Sequence, residues 1–436
     1  MWKIKAGAAF MLTLLLPVPR IVQAQSSDTI LLNRQQAEKI FLERNISLLA
    51  GKLNIRQAEA QVLQARLWPN PNVSVDEVNL WATPAQLSMG SGLPPVFSNG
   101  AGRNQQVAAQ LEQVIITAGK RKKLIAIEEV SRDMAASYFE DLVRNLKVEF
   151  RKLLTELQYV QLYQAVFARE ITETQLLLTA YERQAESGNV NRADIARLKA
   201  LLLGLNDENN ELCKQVNGIQ KELGVLMSLP ANSRIRLTTD DFVPDADRYT
   251  ALSLPALVQT AQSSRPDLML AQLGTDQAKK TFSYEKASSI PDVTLKAGYD
   301  RGGNFMYNFI GFGAGLDIPI FNRNQGNIRS ARIGIEKAAL LQEDRNRRVE
   351  AEVKEAFLNL TAGMDFYKRI DPGYEAELDR LLASYISNFR SRNISMLEFL
   401  DFLRAYMDNK KTILGAKRSL NEAIEELKYA VGTEIN

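Results

Sequence analysis

The chain contains no histidine and a single cysteine, Cys213. These two absences remove the Ser/His/Asp triad, the histidine general base, zinc-finger spacing and any intramolecular disulfide framework. Carboxylates, lysine or tyrosine could still run chemistry, but no convergent set of them is visible, and the sequence reads as a non-enzyme without a cofactor. Proline is sparse, 14 in 436 residues, while 45% of the residues are hydrophobic, which excludes wholesale disorder and collagen-like structure. After the N-terminal segment no apolar run reaches the roughly 18 residues that a membrane-spanning helix needs. A mean hydropathy of -0.20 is likewise too low for a multi-span helical membrane protein.

The first 24 residues read as a cleavable secretory signal. Trp2 to Lys5 form the basic start, Ala6 to Leu16 the apolar stretch, and Val22-Gln23-Ala24 ends on the small residue that signal peptidase requires. Residue 25 is Gln, so the lipidated cysteine of a lipoprotein is absent. Of the 54 basic residues, Lys3, Lys5 and Arg20 belong to this leader; 51 remain, against 51 acidic ones. The net basic charge therefore lies in the leader, and a nucleic-acid footprint is not supported. Such an export signal places the mature chain in the periplasm, outside the cell, or in an outer membrane as a β-barrel.

Self-similarity governs the rest. Pro71-Asn72-Val73-Ser74-Val75 returns as Pro291-Asp292-Val293-Thr294-Leu295, 220 positions later. Leu111 to Ile115 corresponds to Leu316 to Ile320 at 205, and Tyr181 with Ser187 to Val190 corresponds to Tyr385 with Ser391 to Ile394 at 204. The offset falls across one loop and then barely moves, so each half is expected to be one copy of a single unit. The boundaries that follow are signal 1–24, first repeat 25–227, an irregular equatorial connection 228–267, and second repeat 268–436.

Each half runs through the same periods. Asn33 to Leu67 carries Ala37, Ile40, Phe41, Ile55, Ala58 and Val62 at helical spacing, and Trp68-Pro69-Asn70-Pro71 stops it. Val73 and Val75, then Val78 and Leu80, alternate with polar residues, with a one-residue slip that suggests a bulge. The Gly-, Pro- and Ser-rich segment Thr83 to Gly102 reads as a loop. A second strand follows with Val107, Ala109 and Leu111 on one face. In the second half Val293, Leu295, Ala297 and Tyr299 alternate, and then Ile310, Phe312, Ala314, Leu316, Ile318 and Ile320 do so opposite Gly311, Gly313 and Gly315. Any one such strand could belong to a half-buried soluble sheet. Four of them in a chain otherwise helical favour membrane strands of about 9 to 11 residues. Thr117 to Ser187 then predicts a helix of about 70 residues and roughly 105 Å, returning from Ala193 to Met227. Asn324 through Ser391 and back to Tyr429 repeats the manoeuvre.

This doubled order of helix, strand, loop, strand and long helical hairpin resembles the TolC-type outer-membrane efflux factors over essentially the whole mature chain. Ala65-Arg66-Leu67-Trp68-Pro69-Asn70-Pro71-Asn72-Val73-Ser74-Val75 and the run Ile318 to Ile328, with Phe321-Asn322-Arg323-Asn324-Gln325-Gly326, look like the cobalt-zinc-cadmium resistance branch. The resemblance implies a mainly helical fold with a membrane barrel portion. It implies a homotrimer, with four strands per chain closing a 12-strand barrel in outer-membrane lipid above a hollow periplasmic cylinder of helices. It further implies a periplasmic adaptor and an inner-membrane RND-type pump as partners, and divalent heavy-metal cations as cargo. An organic-compound duct of the same fold is the alternative, and a secreted coiled-coil scaffold a more distant one. Elementary physics demands a similar assembly, since four strands cannot close a barrel and an open edge in lipid leaves backbone groups unpaired.

Glu398 and Asp401 lie three apart on one helix face. By resemblance they align with an acidic pair that rings the family's periplasmic gate, with Glu in place of the first Asp; on an arbitrary helix the same pair would be a solvated face. At an offset of 204 they match Asp194 and Arg197, a pair whose charges cancel. Ser187, Gly188, Asn189 and Val190, with Ser391, Arg392, Asn393 and Ile394, are the hairpin tips expected to contact the adaptor, or simply turns. Lys120-Arg121-Lys122-Lys123, next to a strand, suggests a headgroup or periplasmic-surface anchor, and Cys213 a structural thiol.

Overall fold

A computed structural model describes residues 28–79, 106–186, 190–240, 242, 245–301 and 308–435. The leader, Leu80, the Thr83–Gly102 loop and the first tip residues Ser187, Gly188 and Asn189 lie outside them. Among the described residues no helix is long and apolar enough to cross a membrane.

The chain begins with β1 (Asp28–Leu32), α1 (Arg34–Arg44) and α2 (Ile46–Arg66). The single helix expected over 33–67 is broken at Asn45, which closes α1 and opens α2. Its Oδ1 accepts the Leu48 N–H at 3.0 Å and its Nδ2 donates to the Leu226 carbonyl at 2.8 Å. An asparagine satisfies free backbone donors at a helix start better than it tolerates a helix interior. Strands β2 (Asn72–Asn79) and β3 (Gln106–Ile115) precede α3 (Lys120–Glu186), whose 67 residues form one helix of about 100 Å. The chain returns as α4 (Arg192–Leu226).

The connection at 228–267, expected to be irregular, is ordered. It holds β4 (Ser233–Leu237), a short 3-10 turn (Ala246–Tyr249) and α5 (Leu254–Ser264). β4 pairs in parallel with β1, from Asp28 opposite Ser233 to Leu32 opposite Leu237, and neither strand was expected. Arg234 and Arg236 do alternate with the buried Ile235 and Leu237, but two five-residue strands so far apart give no local sign of their partnership.

α6 (Pro266–Ser288), β5 (Val293–Arg301), β6 (Phe309–Leu316), α7 (Gln325–Lys368), α8 (Tyr374–Arg390) and α9 (Met396–Val431) complete the fold. The order of helices and strands thus recurs, and α5 and α6 begin 220 positions after α1 and α2. Two expectations fail here. β6 stops at Leu316, so Ile318 and Ile320 lie beyond it, where Pro319 supplies no N–H to a ladder. The second long helix is interrupted between α7 and α8 by Asp371-Pro372-Gly373. The Asp371 carboxylate accepts the Gly373 N–H at 2.8 Å, and proline cannot continue the helical bonds.

Three apolar clusters run along the bundle. One lies where α1, α3, α4, β1 and β4 meet, with Phe41 stacked on Phe150 at 4.5 Å. A second joins α5, α7 and α9, and a third fills the hairpins at the far end. Beside the first two lies an ionic clasp. Asp267 accepts from Arg265 at 2.6 Å, Arg144 at 3.1 Å and also Arg345, while Arg151 reaches Glu38 at 2.8 Å, Glu425 at 2.9 Å and Glu434 at 2.8 Å. The Arg265 side chain is fully buried and also donates to the Ala430 carbonyl at 2.8 Å.

Candidate functional site

β2, β3, β5 and β6 form one antiparallel sheet in that order. Register assigns each residue a face. Opposed pairs Val73–Leu111, Val75–Ala109, Leu111–Ala297, Ala297–Phe312, Leu295–Ala314 and Tyr299–Ile310 all fall on one side. Ser74–Gln110, Glu112–Lys296, Gly298–Gly311 and Lys296–Gly313 fall on the other, where Lys296 pairs with Glu112 at 2.5 Å. The apolar side is bare within the chain: Phe312 is 86% exposed, Val73 68% and Ile310 66%. A soluble sheet buries such a face. The register of β2 shifts between Asp76 and Asn79, as the slip in its alternation suggested.

At the opposite end of the bundle the tips of the two hairpins lie together. Arg392, with a left-handed φ of 63°, closes the second turn and donates to Gln184 Oε1 of α3 at 2.7 Å. Arg390 reaches Glu173 at 2.8 Å, and the rings of Tyr181, Phe389 and Phe399 stack in sequence at 5.3 and 4.5 Å. A cleft of about 390 Å³ opens between the tips, lined by Val190, Asp194, Arg197, Ile394 and Leu397 among others. Ser391, Arg392 and Asn393 are exposed, while Val190 and Ile394 are half-buried.

Glu398 and Asp401 share the exposed face of the first turns of α9, but their situations differ. Ser395 caps the helix: its Oγ accepts the Glu398 N–H at 3.3 Å, and Glu398 Oε2 accepts from the Ser395 N–H at 2.7 Å and its hydroxyl at 2.8 Å. These donors hold the Glu398 carboxyl below the usual carboxylate range. Asp401 makes no ion pair among the described residues. In the first hairpin Asp194 and Arg197 pair at 3.2 Å, so the cancellation read from sequence is realised in contact.

Residues 257–433 match the family model described as outer membrane efflux protein. The chain is 23% identical to the cobalt-zinc-cadmium resistance protein CzcC of Cupriavidus metallidurans, over 68% of its own length and 67% of that protein's. It is 21% identical to the outer membrane protein TolC of Vibrio cholerae, over 78% and 77%. Among solved structures, that of CusC, reported with its transmembrane channel formation, superimposes with a TM-score of 0.69 at 17% identity, covering 98% of this chain and 99% of that one. This is the TolC-type fold.

Within that fold two sequence signals turn out to build joints. Three of the four cations at the start of α3 are used internally. Lys120 pairs with Asp292 at 2.7 Å, Arg121 donates to the Arg66 carbonyl at 2.7 Å and lies 4.2 Å over Trp68, and Lys123 donates to the Ala118 carbonyl at 2.8 Å. Only Lys122 is exposed. The basic run therefore ties the TolC-type helices to the sheet, and three of its members are not offered to a headgroup. The Phe321 to Ile328 run likewise makes the turn from β6 into α7. Asn324, at φ 57°, donates to Glu285 of α6 at 2.6 Å, Asn327 donates to Asn324 at 2.7 Å, and Gln325 accepts the Arg323 N–H at 2.8 Å. Cys213 is exposed and accepts from Gln164 at 3.4 Å, so it is not a core thiol. The clasp around Asp267 was missed in the sequence, because charges 123 and 78 positions apart carry no local spacing.

Proposed function

We propose that the chain is the outer-membrane exit duct of a tripartite efflux system, with three copies closing one barrel. The observation that carries this reading is the four-stranded sheet with one bare apolar face and two edges, β2 and β6, that are unpaired among the described residues. In lipid the apolar face needs no further cover, but both edges need strands from other chains. Three chains of four strands give a 12-strand barrel with the Gly311, Gly313 and Gly315 row toward the lumen. The bundle then forms the periplasmic cylinder, and the tip cleft receives the adaptor that links the duct to an RND-type pump. The recurrence of α1 and α2 as α5 and α6 argues for a second repeat starting near 254 rather than 268. Chemical cross-linking of the purified protein in detergent should stop at three chains; a monodisperse soluble monomer would rule the duct out.

For cargo, the reading is divalent heavy-metal cations, supported by the likeness to CzcC. A chain with no His and one Cys suits a conduit that releases what passes through it. The Phe321 to Ile328 run no longer argues independently for metal, since its polar side chains Asn324, Gln325 and Asn327 are engaged in a turn. Deleting the gene should lower tolerance to zinc, cobalt or cadmium; a strain that becomes sensitive only to organic compounds would assign the duct to drugs instead. At the gate, Glu398 and Asp401 from three chains would form the cation-attracting ring, with Asp401 the freer charge.

A further inference from the structure

Glu170 lies on α3 inside the third cluster, where the α8–α9 hairpin packs. It is 1% exposed, and its Oε1 has no hydrogen-bond partner among the described residues. Arg169 and Glu173 flank it on its own helix, and Asp379 of α8 and Tyr406 of α9 face it. α4 adds the apolar Leu198 and the half-buried Ile195, Leu201 and Leu202. Its charged neighbours are engaged elsewhere. Arg169 approaches Asp379 at 3.9 Å and Glu173 holds Arg390 at 2.8 Å, while Asp379 accepts from Tyr406 at 2.8 Å and from the buried Lys410 at 2.9 Å.

A carboxylate buried without a partner is costly, whereas the neutral acid is tolerated. Burial pushes the Glu170 carboxyl up to about 7; Arg169 opposes this, and the negative charges of Glu173 and Asp379 add to it. The facing hairpin is also separable in one arm. α3 is continuous past Glu170, but α8 is cut from α7 by Asp371-Pro372-Gly373, which gives α8 a hinge where α3 is a rod, while α9 runs unbroken from the tip into the clasp.

We propose that Glu170 is a proton-binding site that couples pH to the docking of the α8–α9 hairpin against α3. With the proton bound, the acid is neutral and the seam stays dry. When the proton leaves to solvent, the bare charge draws water in, and α8, hinged at the 369–373 break, parts from α3 together with the tip end of α9. The docked state holds the proton more tightly than an undocked, hydrated carboxyl, which returns to the ordinary value of 4.5. The stabilisation is thus fully present below about 4.5 and falls as pH rises toward 7, by about tenfold in the docked-to-undocked ratio per pH unit. Above 7 the loss is complete. That this hairpin carries the gate rests on the duct reading; the docking itself does not.

Hydrogen exchange on the full mature protein in detergent, corrected for intrinsic rates between pH 5 and 8, tests the docking. Peptides from 374–413 should open at least tenfold more at pH 8 than at pH 5. Glu170→Gln and, as an apolar substitute of similar length, Glu170→Met should abolish that dependence. A wild-type protein without it, or either folded variant that retains it, overturns the proposal. Bilayer currents from the same proteins separate the two readings. Exchange that follows Glu170 without any current supports the proton site and removes the duct, whereas current with flat exchange does the reverse.

Discussion

Two carboxylates a single helical turn apart can do different work. Glu398 commits its Oε2 to the start of α9, whereas Asp401 projects its charge into solvent. Asp401→Lys is therefore expected to change the cation preference of the reconstituted duct more than Glu398→Gln does, read as the shift in reversal potential across a salt gradient. Ser395→Ala should weaken the start of α9 by on the order of 1 kcal/mol, visible as faster amide exchange in its first turn, and should let the Glu398 carboxyl rise toward its ordinary value. A contrasting case is Asp267. Burial pushes its carboxyl up, but Arg265, Arg345 and Arg144 overcome this and hold it well below the usual range. Its contribution to stability is present above the ordinary carboxyl value and is lost as pH falls through the depressed one. Asp267→Asn leaves the buried Arg265 partly uncompensated and should cost about 3 to 5 kcal/mol, seen as a lower unfolding temperature at pH 7.

At the scale of elements, the interruption between α7 and α8 separates the two halves most clearly. Replacing Pro372 and Gly373 together by Ala removes the breaker and restores helix propensity. Amides from 369 to 373 should then exchange more slowly, and helical dichroism should rise; unchanged exchange would mean that tertiary packing, not these residues, sets the break. The signal was present in the sequence as Asp371-Pro372-Gly373, but the expectation of symmetry with the uninterrupted α3 hid it. Asn45 was hidden for a related reason, because apolar spacing continues across it and only its side-chain bonds disclose the cap. The strand faces were legible, since a period of two survives any partner. At the candidate site the cancellation of Asp194 by Arg197 was legible too, being three residues apart on one helix. The commitment of Glu398 to Ser395 was not read, although Ser395 and Glu398 stand at capping-box spacing.

Across the whole molecule, the sheet sets the conditions for assembly. In the proposed barrel a lysine in place of Phe312 would face the bilayer, with a cost of roughly 2 to 4 kcal/mol near the midplane. Outer-membrane recovery of the cross-linked trimer should fall for Phe312→Lys. Gly313→Ser, on the opposite face with Lys296 Cβ 3.9 Å from the position of an added Cβ, should leave it nearly unchanged. Equal loss for both would mean that the apolar face does not meet lipid. The clasp of Arg144, Arg151 and Arg265 lies between the sheet end and the tip end, binding α1, α3, α6, α7 and α9 into one body.

The parallel pairing of β1 with β4 also imposes an order in time. Residues 28–32 find their partners only at 233–237, so the earliest described strand stays single until half of the polypeptide has arrived. Loops this long close slowly, and a lone strand is open to wrong partners meanwhile. β1 is thus among the last of the described elements to be secured. A pulse of deuterium during refolding should label β1 no earlier than β4, even while the local turns of α3 are already protected.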